Sequence, residues 1–243
     1  MEENRPIEIT KTFKFLDILS AIFILALVLS NIASSAKIID WGFNIGPIRV
    51  AFDAGTILFP ISYIIGDVLT EVYGFKRSRR VIWIGFGSLI FSAIVFWFVQ
   101  ILPPEATWQA SVGQETYNKI LGSMSSGSII IASLSGYLAG SFSNAIIMAV
   151  MKVLTKGKLL WSRTIGSTIV GEAFDTFTFI LIACLLQVFP WSLFWSLTVT
   201  NYIFKVLIEA LVTPLTYWVV NSLKSAEHID VFDEGINLSP FKF

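Results

Sequence analysis

Charge is what this sequence has least of. Only 14% of its 243 residues are Asp, Glu, Lys or Arg, against roughly a quarter in an ordinary soluble domain, while 55% are hydrophobic. With a mean hydropathy of +0.74, water is not its main solvent. The one cysteine, Cys184, lies in an apolar run, so an internal disulfide is excluded and a small buried hydrophobe is the expected role. The one histidine, His228, lies in the tail, and neither an HExxH pair nor a GxSxG elbow occurs, which leaves metalloprotease and serine-hydrolase chemistry without their groups. Lys plus Arg equals Asp plus Glu at 17 each, so no basic balance points to nucleic acid.

What is abundant is long apolar runs. A helix needs about 20 residues, rising about 1.5 Å each, to cross about 30 Å of hydrocarbon, and the bilayer excludes unpaired backbone groups. Six stretches qualify: residues 17–36, 48–73, 81–102, 127–154, 164–189 and 192–223. They predict an all-α, polytopic integral membrane protein, a six-transmembrane-helix bundle forming one domain over 1–243, with 224–243 as a cytoplasmic tail. Pro60, Pro103 and Pro104 interrupt or bound the second and third spans, and Phe189-Pro190-Trp191 separates the last two.

The basic residues give direction. Arg5, Lys11, Lys14, the group Lys76, Arg77, Arg79 and Arg80, the group Lys152, Lys156, Lys158 and Arg163, and Lys224 and Lys242 fall on one side. Lys37, Arg49 and Lys119 fall on the other. Cytoplasmic loops retain positive charge, so both ends are expected in the cytoplasm and the chain in the inner cell membrane. Ser34-Ser35-Ala36 has the look of a signal-peptidase site, but the preceding run is long enough to span, its flanks fit the alternation and Asn31 is odd in a discarded segment; it is read as a span. The connection 103–126 is expected outside, with Trp108 and Tyr117 resting at the interface.

A charged side chain near the bilayer centre costs about 2.5–3.5 kcal/mol on insertion scales, so each one needs a partner or a wet cavity. Asp67 and Glu71, four residues apart, share a face of the second span. Glu172 and Asp175 fall about 14 and 18 Å in from Arg163, which is mid-membrane. The last span carries Lys205 and Glu209, and Asn31, Asn144, Gln187 and Asn201 add neutral polar groups. The plainer account pairs Lys205 with Glu209 on its own helix and turns Asp67 and Glu71 toward the basic loop 76–80. It leaves Glu172 and Asp175 unneutralised, the usual condition of a substrate or proton pathway.

Small residues describe the packing. Ala132, Gly136 and Gly140 repeat every four residues on the fourth span, beside Ser135, Ala139 and Ser143, and the fifth offers Ser167 and Gly171. These two helices are expected to pack closely and to present Glu172 and Asp175 elsewhere, toward the bundle interior. Gly55, Pro60 and Gly66 predict an interruption in the second span, where Phe52, Phe59 and Tyr63 offer stacking faces.

Phe59-Pro60-Ile61-Ser62-Tyr63, the run from Asp67 to Gly74 and the basic run 76–80 resemble the signature of the YhhQ-type, or vitamin uptake transporter, family, which includes queuosine precursor transporters. Leu102-Pro103-Pro104, Trp161 to Thr168 continuing to Asp175-Thr176, and Tyr202 to Leu207 are similar to further family motifs in family order. The resemblance spans about 30–223. It implies a non-enzymatic, six-helix importer of queuosine precursors, 7-deazaguanine bases such as 7-cyano-7-deazaguanine used in tRNA modification, with no cofactor and no metal.

A guanine-like edge presents a ring N–H beside an exocyclic amine, and one carboxylate accepts from both. Asp67, Glu172 and Asp175 are the acceptor candidates. Lys205 and Asn31 are placed on the ring carbonyl or behind a carboxylate, Tyr63 or Phe59 on the ring face, and Glu71 completes the set. The expected partners are this deazapurine base and the lipid bilayer, with no nucleic acid; a homo-oligomer is left open, since a small-residue ridge packs within one chain or between two. The alternative is a substrate-binding subunit of an energy-coupling-factor vitamin transporter. A remoter one is an intramembrane hydrolase built on Asp67 and Asp175.

Overall fold

The computed structural model describes residues 13–45, 48–125 and 127–242. In chain order they form α1 (Leu16–Ala36), β1 (Ile38–Ile45), β2 (Ile48–Asp53), a 3-10 turn (Ala54–Ile57), α2 (Phe59–Tyr73), α3 (Phe75–Ile101), α4 (Ala106–Ser111), α5 (Gln114–Ser125), α6 (Gly127–Leu154), α7 (Leu160–Leu185), a second 3-10 turn (Trp191–Leu193) and α8 (Phe194–Glu227). Five helices, α1, α3, α6, α7 and α8, are long and apolar enough to cross a membrane. Their outer faces expose Leu25, Phe91, Trp97, Phe98, Leu211 and Trp218, side chains that water would not tolerate in such a band and lipid does. The chain is a polytopic helical membrane protein.

The second expected span, 48–73, is corrected. Its first six residues are the strand β2, which pairs antiparallel with β1 from Ile38↔Asp53 to Ile45↔Ile48, with an irregularity between Asp40 and Asn44. The helix begins only at Phe59, with Pro60 in its first turn, where the missing N–H costs nothing. At 15 residues α2 spans about 22 Å, too short to count as a crossing on length alone. The description all-α therefore needs a hairpin added.

Shortness does not make α2 peripheral. Ile64, Ile65, Val68, Leu69, Val72 and Tyr73 are buried, and so are Asp67, Thr70 and Glu71. A helix covered on every side is a central helix, and α2 touches α1, α3, α6 and α8.

The close packing expected from small residues is present between α6 and α7. A Cβ added at Gly171 would stand 2.8 Å from Asn144 Cβ, and one at Gly140 2.5 Å from Asp175 Cβ. One detail differs: Asp175 sits against the α6 glycines instead of turning away from them, because Gly136 and Gly140 leave a groove that its side chain fills. In α8, Pro214 lies inside the helix, and Thr213 Oγ1 donates to the Glu209 carbonyl one turn earlier at 2.9 Å.

Residues 228–241, expected as a tail, pack against the helix ends. Asp233 Oδ2 accepts from the Phe75 N–H at 2.9 Å, Arg79 Nη1 donates to the carbonyls of Asn237 and Ser239 at 3.3 and 2.7 Å, and Trp83 Nε1 donates to that of Pro240 at 2.9 Å. Gly74, at φ +84°, turns the chain between α2 and α3 and has Val231 where a Cβ would be, so only glycine fits there.

Candidate functional site

Four helices bring polar groups to the middle of the bundle. From α7 comes Glu172, fully buried, with Asp175 three residues on; from α8, Lys205 and Glu209; from α2, Asp67; from α6, Asn144. Lys205 Nζ stands 3.0 Å from Glu172 Oε2 and also pairs with Asp175. Asn144 Nδ2 donates to Asp67 Oδ1 at 2.8 Å. Lys205 is thus drawn across to α7, in place of the pairing with Glu209 along its own helix, and Asp67 meets an amide instead of the basic loop.

Several buried atoms have no hydrogen-bond partner among the described residues: Asp67 Oδ2, Asn144 Oδ1 and both carboxylate oxygens of Glu209. The same holds for the Glu172 carboxylate, whose approach to Lys205 is an ion pair without hydrogen-bond geometry. On α7, Thr164, Thr168, Glu172 and Thr176 recur every four residues, each at most 3% exposed, and all three threonine hydroxyls are unpaired among the described residues. Residues four apart share a helix face, so this is one polar stripe through the interior. Burying a polar group without a partner costs of order 1–3 kcal/mol, and a stripe of them marks a surface that something else contacts.

The cluster is closed on the Glu209 side, which is 1% exposed, and partly open at Lys205 and Asp175, whose side chains are 24% and 18% exposed. A groove of about 320 Å³ between α7 and α8, lined by Ala173, Phe174, Thr176, Phe177, Thr198, Val199 and Tyr202, presents apolar surface and does not include the carboxylates, though Thr176 joins it to the stripe.

A second cluster occupies the end of the bundle that carries the basic loops. Glu71 Oε1 lies 2.7 Å from Arg163 Nη2 and 2.6 Å from Lys224 Nζ, Arg163 Nε donates to Oε2 at 3.2 Å, and Lys152 Nζ stands 3.6 Å from Oε1. Lys152 also donates to the Glu71 carbonyl and to Asp230 Oδ1 at 2.5 Å, and to the Val231 carbonyl at 2.7 Å. Burial works against the ionised form of Asp230, and the hydrogen bonds from Lys152 and Lys224 outweigh it, holding its carboxyl below the usual aspartate range.

The eight candidates therefore divide. Asp67, Glu172, Asp175 and Lys205 come together; Glu71 belongs to the second cluster. Tyr63 lies one turn before Asp67 on α2 and is half-buried. Phe59 begins the same face another turn earlier, and its side chain lies outside the described residues, as does that of Phe52 in β2. Asn31 is on α1, its amide given to the Leu27 carbonyl at 2.9 Å. Sequence reasoning passed over Asn144 as a neutral extra and Glu209 as a mere partner for Lys205. The four-residue recurrence of Thr164, Thr168, Glu172 and Thr176 was the signal that could have revealed the stripe.

A protein-family model described as "Putative vitamin uptake transporter" matches residues 53–219, a segment that contains every residue of the central cluster. A protein of Bacillus subtilis (strain 168) named "Probable queuosine precursor transporter" is 26% identical over 163 residues, 67% of this chain and 69% of that protein. No solved structure matches. A family match over more than half the chain, on five membrane-length helices around a buried polar centre, shows that this chain belongs to the vitamin uptake transporter family and is a multi-pass membrane transporter.

Proposed function

We propose that the chain imports a queuosine precursor, a 7-deazaguanine base, across the cytoplasmic membrane, and that it does so as a transporter without enzymatic turnover. The observation that carries this is the unpaired polar centre: Asp67 Oδ2, Asn144 Oδ1 and the Glu172 carboxylate are buried acceptors waiting for donors. A 7-deazaguanine edge supplies a ring N–H and an amine side by side, which suits a carboxylate and an amide oxygen held together as Asp67 and Asn144 are. The name of the Bacillus subtilis relative points to the same substrate class.

In this reading Lys205 holds Glu172 and Asp175 in place and meets the ring carbonyl, Tyr63 and Phe59 stack on the ring, and Asn31 lies at the rim. Glu71 closes the cytoplasmic end instead of touching the base. α2 with the β1–β2 hairpin counts as the sixth crossing, the chain forms one domain, and the alternation of basic loops puts both ends in the cytoplasm.

The test is uptake of labelled 7-cyano- and 7-aminomethyl-7-deazaguanine by proteoliposomes holding only this protein. Uptake that is saturable and lost in Glu172→Gln is expected. Tight binding without uptake would favour a subunit that needs an energising partner, and neither binding nor uptake would remove the substrate.

A further inference from the structure

We propose that Glu209 is a proton-binding site of this transporter, and that a proton held there moves inward with the substrate. The inference rests on the transport reading above and adds to it the coupling ion and the residue that carries it.

Glu209 sits midway along α8, is 1% exposed and has neither carboxylate oxygen hydrogen-bonded among the described residues. α8 packs against α7 and α2. The ionisable groups on them that act electrostatically on Glu209 are Glu172 and Asp67, both carboxylates. On its own helix Lys205 lies one turn away, but its ammonium is directed to Glu172 and Asp175. The next cations, Arg163 and Lys224, are taken up by Glu71.

Glu209 is therefore set beside two further carboxylates, with the nearest cation, Lys205, committed to Glu172 and Asp175. An ionised carboxylate in that position faces both desolvation and like-charge repulsion, and one proton on it relieves both. Unpaired hydroxyls lie beside this centre: Thr168 and Thr176, both buried, flank Glu172 by one turn each way on the stripe of α7. They offer a bound proton, or a water carrying it, partners toward either end.

A proton fits better than a metal ion. Sodium sites in transporters draw on carbonyls of unwound helices. α7 runs unbroken through this level and α8 continues through Pro214 without unwinding, and among the described residues no three acidic, histidine or cysteine side chains converge closely enough to hold a metal. A proton needs only one carboxylate oxygen: an O–H bond forms on Glu209 while the site faces outside water, and the same bond breaks, returning H⁺ to water, once it faces inside.

Two measurements test this. Infrared spectra of the purified wild-type protein at neutral pH are expected to show a protonated-carboxyl C=O stretch that Glu209→Gln removes. Glu209→Gln in proteoliposomes is expected to lose accumulation driven by an imposed pH gradient, while its melting temperature in detergent, which reports correct folding, stays near wild type. Absence of that band from the wild type would overturn the proposal without any variant, as would gradient-driven accumulation by Glu209→Gln at the wild-type level or accumulation driven by sodium alone. A Glu209-dependent band in a protein that takes up no 7-deazaguanine would sink the substrate and leave the proton site standing.

Discussion

The two ionic clusters use the same residue types to opposite ends. At the basic end, Glu71 and Asp230 meet Arg163, Lys152 and Lys224, and the buried carboxylate of Glu71 accepts from Arg163 and Lys224 with Lys152 paired at 3.6 Å. In the centre, Lys205 pairs with Glu172 and Asp175 while Asp67 and Glu209 lie outside that pairing, and most oxygens of these four carboxylates have no hydrogen-bond partner among the described residues. Cations in excess, with geometry satisfied, fasten helices together. Carboxylates in excess, with geometry unsatisfied, leave the centre ready for a ligand. Charge inside a membrane domain is thus read by what remains unpaired, more than by how much of it there is.

That contrast predicts opposite responses to similar substitutions. Arg163→Ala strips Glu71 of its two-oxygen partner in a buried place, leaving it to Lys224 and Lys152, and is expected to cost about 1–3 kcal/mol, seen as lost thermal stability in detergent and lower abundance in the membrane. Glu172→Gln and Asp175→Asn are expected to abolish uptake while melting temperature and abundance stay near wild type. Parallel losses of stability in both clusters would erase the distinction drawn here.

Gly140→Ala works between the two regimes. Its new methyl would be 2.5 Å from Asp175 Cβ, so α6 and α7 must part. Overpacking of this kind costs about 1–3 kcal/mol, and uptake is expected to fall further than stability because Asp175 is displaced from Lys205. The smallest effect belongs to Asp230. Its carboxyl is held below the ordinary value, so its contribution is fully present above about pH 3.9 and is lost as pH falls through the lowered value. Asp230→Asn should resemble the wild type at low pH and, near neutrality, shed residues 228–241 to added protease slightly faster.

Much of this was legible in the sequence, and the misses share a cause. The long apolar runs located five helices, and depth from Arg163 placed Glu172 and Asp175 in the interior. β2 reads as helix on hydropathy alone because Ile48, Val50 and Phe52 keep it high; their alternation with Arg49, Ala51 and Asp53, after Gly46-Pro47, is the period of a strand. The pairing of Arg163 with Glu71 bridges 92 positions, and that of Lys224 with Glu71 bridges 153. No local period encodes the rotation of one helix against another. Docking of residues 228–241 left still less trace, since Arg79 and Trp83 hold backbone carbonyls of Asn237, Ser239 and Pro240, and a carbonyl is the same on every residue.

That docking sets an order of assembly. Lys152 is 1% exposed, and two of its hydrogen bonds go to Asp230 and Val231, while Lys224 joins Glu71 from the far end of α8. A ribosome that has released α1 through α7 into the bilayer has therefore produced a bundle whose buried lysine still waits for segments not yet synthesised. The native arrangement is completed only once residues 224–231 emerge, so a nascent chain stalled before residue 224 would hold Lys152 beside Glu71 but without the Asp230 and Val231 acceptors.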